Sequence, residues 1–309
     1  MTAFLACLLA CTAPAKPAAR DLTPLFPDEA WLVYGIEAKR MHESELGQAL
    51  FGKQSLPDSA RKLVAAMKGD DLVGYLNALA PLNSQLENVT RVHIVIGVDG
   101  HIQRSDHALV LIEGEFDEAK VAAGIEAVCK NLKEPYKLEK FGDRTVYAAG
   151  PEDSVRRTVR LDERTLAVAY TAAGMTALLD RHAGRQTSKA AKAVVDGVKS
   201  IDAAATPLWI VAGENKVGDK IDYTRMVATI TLGTDSTLNI RMETPDAEAA
   251  KRCRDMLELY AALFALSKDA PLWKALGTST RVEIGSTAVT ATAKMTGKSL
   301  ATEIAKVKE

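Results

Sequence analysis

The sequence predicts an α+β protein made of two tandem repeats of antiparallel sheet, each with helices packed on one face. Apolar residues alternate with other residues at 92–98 and again at 226–232, and a period of two is that of a β-strand. Each run is followed by a second strand and by a helix with one apolar stripe, at 117–132 and at 244–266. The predicted unit is therefore a hairpin with one exposed side and one side covered by its helix.

A shorter similarity precedes each hairpin. Residues 31–35 read WLVYG and residues 209–213 read WIVAG, and both runs have the composition of a strand. The order of strand, hairpin and helix is then the same in both copies, with a helical insertion at about 39–86 in the first. Chance similarity stays open as the alternative, because such periodicities are common in α+β proteins.

Three segments follow from this organisation. Residues 1–21 are predicted to be a signal and linker, 22–183 a first α+β domain, and 184–309 a second one. The boundary lies in a weakly patterned stretch at 182–189 that contains Gly, Arg and Ser. Further predicted strands complete the two domains: 137–141, 145–149, 155–160, 165–170, 208–212, 281–284 and 288–295. Thr244, followed by a proline and an aspartate, is the predicted cap of the long second-copy helix.

Composition excludes one class of partner. The 309 residues are 47% hydrophobic and 26% charged, values of an ordinary globular protein, and the net charge is -1. Nucleic-acid binding needs a basic field to neutralise phosphates, and only 5% of the residues are aromatic, so base-stacking platforms are scarce. We therefore predict no nucleic-acid partner. Nor does any apolar run approach the roughly 20 residues of a membrane-spanning helix.

The N-terminus has the features of an export signal. Residues 3–10 are apolar, Leu8-Leu9-Ala10 leads into Cys11, and a Pro/Ala-rich stretch follows. This resembles a bacterial lipoprotein signal, in which a cysteine after a small residue becomes lipidated. It departs from that pattern because no Lys or Arg precedes Ala3 and the apolar stretch is short. Cys7 fits less well as the acceptor, since Phe4 stands where an aliphatic residue is expected. Cys11 is the predicted lipidation site, and a disordered N-terminus without function is the alternative.

A wider resemblance rests on two short motifs. Residues 26–29 (FPDE) precede a strand, and residues 44–47 (SELG) follow it. Over this stretch of about thirty residues, the chain resembles uncharacterised secreted proteins and lipoproteins of bacteria such as planctomycetes and myxobacteria. The resemblance implies no activity and carries over no functional residue.

Local motifs for catalysis are absent, and one loop is a candidate metal site. Asp99, His101, Asp106 and His107 lie close together in the sequence, with Glu113 on the next predicted strand. Imidazole and carboxylate groups are zinc ligands, so a metal-dependent hydrolase using the 99–113 hairpin loop is one hypothesis. A solvated loop is the simpler reading. We therefore predict no catalytic, cofactor or metal residue.

Two further groups of residues have simple interpretations. Arg156, Arg157, Arg160 and Arg164 are predicted to form a solvated strand face, with anionic lipid or a carboxylate partner as the alternative. Cys129 and Cys253 lie on or beside apolar helix stripes and are predicted to be small buried hydrophobes.

These observations together favour a non-enzymatic protein of the cell envelope. We expect it to be exported to the outer membrane or periplasm, held by a lipid rather than by a spanning helix, and to act as an interaction or structural module. Its partner would be an envelope protein or a lipid. The alternatives are a carrier of a lipid or other apolar ligand and the metal-dependent hydrolase.

Overall fold

The computed structural model describes residues 20–38, 40, 89–97, 106–152, 155–202, 205–217, 220–231, 235–266 and 271–296. In chain order, the strands are β1 (Ala30–Ile36), β2 (Arg91–Gly97), β3 (Leu109–Glu113), β4 (Tyr136–Phe141), β5 (Arg144–Ala149), β6 (Arg156–Asp162), β7 (Thr165–Ala169), β8 (Leu208–Ala212), β9 (Asn215–Val217), β10 (Lys220–Tyr223), β11 (Arg225–Thr231), β12 (Asp235–Glu243), β13 (Arg281–Ile284) and β14 (Ala288–Thr296). The helices are α1 (Glu118–Leu132), α2 (Ala172–His182), α3 (Lys192–Lys199), α4 (Ala247–Ala265) and α5 (Pro271–Ser279).

Twelve of these strands form one antiparallel sheet. Its order is β13-β14-β12-β11-β8-β1-β2-β3-β7-β6-β5-β4, and β9 and β10 form a separate pair. The prediction of an α+β protein with antiparallel sheet is thereby confirmed. The strands β8 and β13 have the predicted bounds, and α1 begins one residue later than predicted. The helix α5 and the β9–β10 pair were not predicted.

The two predicted units meet at the centre of this sheet. β1 pairs with β8, which places Val33 opposite Val211 and Gly35 opposite Trp209. Outward from this pair, the order is β1-β2-β3-β7-β6 on one side and β8-β11-β12-β14-β13 on the other. Because β1 and β8 share a ladder, the sheet is continuous across the boundary that was predicted near residue 184.

The helices α1 and α4 cover the same face of the sheet, here called the first face. Tyr34 lies opposite both Ile94 and Ile210, and neighbouring residues in register point to the same side. Val121, Ile125 and Cys129 of α1 pack with alternate residues of β2 and β3. Ala250, Cys253 and Leu257 of α4 do the same with residues of β12 and β14. The apolar stripes of these two helices thus cover the strand residues that form the two cores on this face.

The opposite or second face corrects one prediction. The first hairpin was expected to have one exposed side, but every residue of β2 and β3 is buried. Val95, Leu109 and Leu111 point to the second face, where they pack under α2, α3 and the 3-10 turn Thr23–Leu25. These covering elements are far away in the sequence, so the local pattern of the hairpin carries no sign of them. Helices therefore lie on both faces of this half, rather than on one.

The cap of α4 also differs from the prediction. Asp246, rather than Thr244, is the capping residue, and its Oδ1 accepts a hydrogen bond from the backbone N–H of Ala249 at 2.7 Å. Thr244 Oγ1 instead donates to the carbonyl oxygen of Asp246 at 3.2 Å. The helix accordingly begins at Ala247. A carboxylate at this position both accepts the N–H and interacts favourably with the positive end of the helix dipole.

Candidate interaction surface

The helix α4 changes character along its length. In its first half, the inward side is buried through Ala249, Ala250, Cys253 and Leu257. The outward side of this half carries Glu248, Arg252 and Asp255, as expected for a helix that covers a sheet. In its second half, the outward side becomes apolar.

Three leucines form this outward surface, which we call the α4 stripe: Leu259, Leu263 and Leu266. Their exposed fractions are 58%, 53% and 76%. Successive helical residues are about 100° apart, so the three leucines fall within about 60° of one another. The Tyr260 ring also stacks on Phe264, with ring centroids 6.3 Å apart. Scattered exposed leucines are normal on a protein surface, but a contiguous group marks a site of interaction.

The neighbouring helix α5 leaves this stripe exposed because it packs on another side of α4. At Gly277 the two backbones are so close that a Cβ would lie 2.4 Å from the carbonyl oxygen of Ala261 and 2.3 Å from the amide nitrogen of Ala265. These two residues are roughly opposite the three leucines on the helix circumference. The contact at Gly277 thus fixes α5 against α4 and turns the α4 stripe away from it.

A second apolar area lies in the middle of the first face. The hydrogen-bond register places side chains of β1, β8 and β11 next to one another there, and we call them the central floor: Leu32, Tyr34, Ile36, Leu208, Ile210, Ala228 and Ile230. All but Ala228 are half-buried. Leu32 contacts both the α1 core and the α4 core. Burial raises the pKa of the Tyr34 phenol, so this group stays neutral at physiological pH.

The candidate metal residues do not form one group. Asp99 and His101 lie outside the described residues. Asp106 accepts a hydrogen bond from Thr171, whereas Glu113 lies at the far end of β3. Within the described ranges, no three His, Cys, Asp or Glu side chains are placed to hold a metal ion.

The arginines of β6 are not a solvated face. Arg156 pairs with Glu134, just after α1. Arg160 Nη1 lies 3.5 Å from Glu118 Oε2, at the start of the same helix. Arg157 Nε donates to Glu139 Oε2 on β4 at 2.9 Å, and its side chain is only 14% exposed. The carboxylate partners suggested as an alternative are therefore intramolecular, and these pairs tie α1 and β4 to β6.

The cysteines in the described part of the chain agree with the prediction. Cys129 and Cys253 are both free and buried, and burial raises the pKa of each thiol. A buried neutral thiol is a poor nucleophile. Cys11, the predicted lipidation site, lies outside the described residues.

A buried charged cluster was missed by the sequence reasoning. Arg91 Nε donates to Glu37 Oε1, and Arg91 Nη1 lies 3.3 Å from Glu113 Oε2. All three residues are buried on the second face, where burial raises the pKa of the Glu113 carboxyl and Arg91 opposes this shift. The sequence had predicted an exposed side for this hairpin, and Arg91 and Glu113 lie on that side.

Beside this cluster, His93 is fully enclosed. Its ring contacts the edges of Trp209 and Phe26, with centroids at 5.3 and 6.3 Å. Burial lowers the pKa of His93 to about 3, and the positive charge of Arg91 contributes further. The imidazole is therefore neutral at physiological pH.

The comparisons with known proteins bear on the fold. No family model and no curated protein matches the chain. Two crystal structures of the protein TP0453 are similar to it. Form I has a TM-score of 0.50 and 9% identity, and the similarity covers 95% of this chain and 99% of that one. Form III has a TM-score of 0.52 and 7% identity, covering 94% and 100%. At such identities the likeness concerns the fold alone, and it extends over nearly the whole chain.

None of the helices in the described part of the chain is long and apolar enough to cross a bilayer.

Proposed function

We propose that this protein is a non-enzymatic component of the cell envelope, anchored by a lipid on Cys11, that acts as an interaction or structural module. The α4 stripe is the observation that supports it most directly. A helix that covers a sheet normally turns charged residues outward, and the first half of α4 does so. The apolar second half has a cost in water unless a partner covers it. The proposed partner is another envelope protein or a lipid.

The proposed anchor would keep the fold close to the membrane. With Cys11 lipidated, about ten residues would separate the lipid from the folded part, and a flexible tether of that length spans roughly 17 Å. The tether would end at Arg20, where Nη1 donates to Asp162 Oδ2 at 2.5 Å and to Thr165 Oγ1 at 3.3 Å. Only components of the outer membrane or periplasm near this surface would be within reach.

Metabolic labelling tests the anchor. We expect the protein, produced in a bacterial host with its N-terminus untagged, to incorporate radioactive palmitate and to partition into detergent. Cys11→Ser should abolish both, and Cys7→Ser should change neither. Labelling of the Cys11→Ser variant, or a wild type that stays wholly in the aqueous phase, would show that the anchor is wrong.

Sedimentation with isolated envelopes tests the α4 stripe separately. The chain from residue 20 onward carries neither Cys7 nor Cys11, so its co-sedimentation cannot depend on a lipid on either cysteine. Replacing Leu259, Leu263 and Leu266 together by Ser should leave the melting temperature nearly unchanged, because all three are exposed, and should reduce co-sedimentation at least tenfold. Replacing the exposed Lys251 and Glu258 on the same helix by Ser is the matched control. Equal co-sedimentation of both variants and wild type would contradict the assignment of this surface.

We also infer that the two halves of the sheet are copies of one unit. If Trp31 is equivalent to Trp209, then Val33 is equivalent to Val211, and these two residues do lie opposite each other. The β1–β8 pair would then surround a local two-fold axis. The same equivalence pairs Gly35 with Gly213, and each glycine lies under the tryptophan of the other strand. Trp209 covers Gly35, and the Trp31 ring is 3.4 Å from the position that a Cβ of Gly213 would take. An experimental structure in which β1 and β8 pair in another register would contradict the inference.

The central floor favours a second candidate, a carrier of a lipid or other apolar ligand. Three adjacent strands present half-buried aliphatic side chains between the cores under α1 and α4, and apolar binding sites are lined in this way. We expect a fluorescent fatty acid to bind with a blue-shifted emission that Ile210→Asp abolishes and Thr229→Asp, on the second face of β11, does not. Saturable binding that both variants retain would place the ligand elsewhere.

A further inference from the structure

The strand β4 (Tyr136–Phe141) forms one edge of the twelve-stranded sheet. It pairs with β5 along its whole length without a register shift, and within the described part of the chain no strand pairs with its outer side. The other edge strand, β13, is only four residues long. Sheet edges are commonly blunted by a proline, a bulge or a very short strand. Because β4 itself has none of these three features, its outer side is open to pairing with another strand.

The backbone groups on this outer side belong to the even-numbered residues of β4. The N–H of Gly150 donates to the carbonyl oxygen of Pro135 at 3.1 Å, and hydrogen-bonded and non-hydrogen-bonded pairs alternate along an antiparallel ladder. The odd-numbered residues of β4 therefore bond to β5. The N–H and C=O groups of Tyr136, Leu138 and Lys140 accordingly point away from the sheet, toward the position of a further strand.

Leu138 lies in the middle of this open edge. Its side chain is 58% exposed. It lies on the first face, because Tyr136, two residues before it, packs against the core of that face. A large exposed apolar side chain on an edge strand favours association with another strand.

The charged residues on either side of Leu138 determine which strand would fit. Lys137 and Glu139 lie on the second face, and Lys137 Nζ is 2.8 Å from Glu139 Oε1. If two β4 strands pair antiparallel with Leu138 at the centre, Lys137 of each copy is opposite Glu139 of the other, and opposite charges in these positions stabilise a sheet. The two lysines and two glutamates then alternate in sign around a two-fold axis. Arg157, which donates to Glu139, adds positive charge beside each carboxylate.

We propose that β4 is a self-association site, at which two copies of this chain pair antiparallel around a two-fold axis through Leu138. Leu138 exchanges backbone hydrogen bonds with its counterpart, and Tyr136 of each copy does so with Lys140 of the other. The two Leu138 side chains meet across the axis on the first face. The same surface is used by both copies, so the assembly closes as a dimer. A single strand pair buries little area, so we expect a weak dimer with a Kd between about 10 μM and 1 mM.

Sedimentation velocity of the 309-residue chain at increasing concentration tests the proposal. Cys7 and Cys11 are replaced by Ser in every sample, so that neither a lipid nor a disulfide at these positions contributes. Leu138→Lys places two ammonium groups opposite each other and should weaken dimerisation by about tenfold or more. Its melting temperature should be nearly unchanged, because the side chain is exposed. Ile284→Lys changes a residue of the other edge strand that is 45% exposed, and this matched control should dimerise like wild type.

Disulfide formation tests the register of the two strands. Opposite residues in a hydrogen-bonded antiparallel pair have Cα atoms about 5.5 Å apart, a separation that a disulfide can span. Leu138→Cys should therefore oxidise to a covalent dimer, whereas Ile284→Cys should form none.

Three results would overturn the proposal. A wild type that is monomeric at about 1 mM would leave this edge to a strand of a different protein. A Leu138→Lys protein that dimerises like wild type would place the contact elsewhere on the surface. Equal loss of dimer in the Leu138→Lys and Ile284→Lys proteins would mean that β4 pairs with β13 of another copy, an arrangement that continues into filaments instead of closing.

Discussion

Replacing His93 by Leu should change how stability depends on pH. The imidazole is enclosed by Trp209 and Phe26, and its pKa falls from 6.5 to about 3 in the fold. In the unfolded chain the same group binds a proton below pH 6.5. Between pH 6.5 and pH 3 only the unfolded chain takes up this proton. The free energy of unfolding is therefore highest above pH 6.5 and decreases as the pH falls toward 3. Leucine has a similar size and does not titrate.

The size of the stability change follows from the pKa shift of His93. A pKa difference of about 3.5 units corresponds to about 5 kcal/mol over the whole range, because each unit is worth 1.36 kcal/mol. Between pH 7 and pH 4 the wild type should lose about 3 kcal/mol more than His93→Leu. Burial of the imidazole is the main reason, since it disfavours the charged form.

Urea unfolding followed by circular dichroism at pH 4, 5, 6 and 7 measures this difference. The carboxylates and His182 titrate in both proteins, so their contributions cancel when the two curves are subtracted. The subtracted curve should be flat above pH 6.5 and should have a slope near one proton below about pH 6. If the free energies of unfolding of wild type and His93→Leu depended on pH in the same way, the reasoning would be refuted. His93 would then have the same pKa in the fold as in the unfolded chain.

Three further substitutions test other parts of the structure. Gly35→Ala should lower the free energy of unfolding by about 3 kcal/mol or more, because the new Cβ would overlap the Trp209 ring. Adding Trp209→Ala should restore part of this loss. If the effects of the two substitutions simply added in the double variant, the predicted overlap would be wrong. Arg91→Met should cost about 3–5 kcal/mol near pH 7, because Glu37 and Glu113 would stay buried without their arginine. Burial already raises the pKa of Glu113 and Arg91 opposes this, so the loss should shrink as the pH falls and Glu113 takes up a proton, and a loss independent of pH would contradict it. Asp246→Ala should lower the free energy of unfolding, measured by thermal denaturation, by about 1 kcal/mol, and Thr244→Ala should lower it by less. A larger effect of Thr244→Ala would mean that Thr244 is the capping residue.

Local sequence patterns were sufficient for most strands and for α1. Alternation at residues 92–98 and the stripe through Val121 and Ile125 predicted the correct element types. They failed for the environment of β2, because the residues that cover its second face, such as Phe26 and Met175, come from remote segments. The role of Arg91 was missed for the same reason. Its partner Glu37 is 54 residues away in the chain.

The α4 stripe shows another limit of periodicity. The second half of α4 is apolar on nearly all sides, so spacing alone cannot tell which residues face the sheet. The contact of Gly277 with the α4 backbone determines which side of α4 is covered by α5. Because α5 was not predicted, the sequence could not show that the leucines remain exposed. The central pairing of β1 with β8 had one visible signal, the similarity of WLVYG and WIVAG. If the two halves are copies of one unit, as proposed, Tyr34 is equivalent to Ala212. Ile94 lies opposite Tyr34 and Met226 lies opposite Ala212, so Ile94 would be equivalent to Met226. The runs 92–98 and 226–232 would then correspond with a shift of two residues, which keeps every side chain on its face.

The ladder between β1 and β8 also governs how the chain reaches its fold. These strands are about 175 residues apart in sequence, so their pairing closes a very large loop, and contacts of that kind form slowly. Until they form, each half presents a strand rich in Trp, Val, Ile and Leu with unpaired backbone groups, the usual starting point of aggregation and strand exchange. Severing the chain between α2 and α3 would make that transient hazard permanent for both fragments. A protein exported before it folds would meet this risk in the envelope, and the β1–β8 ladder is the step at which a chaperone would help it most.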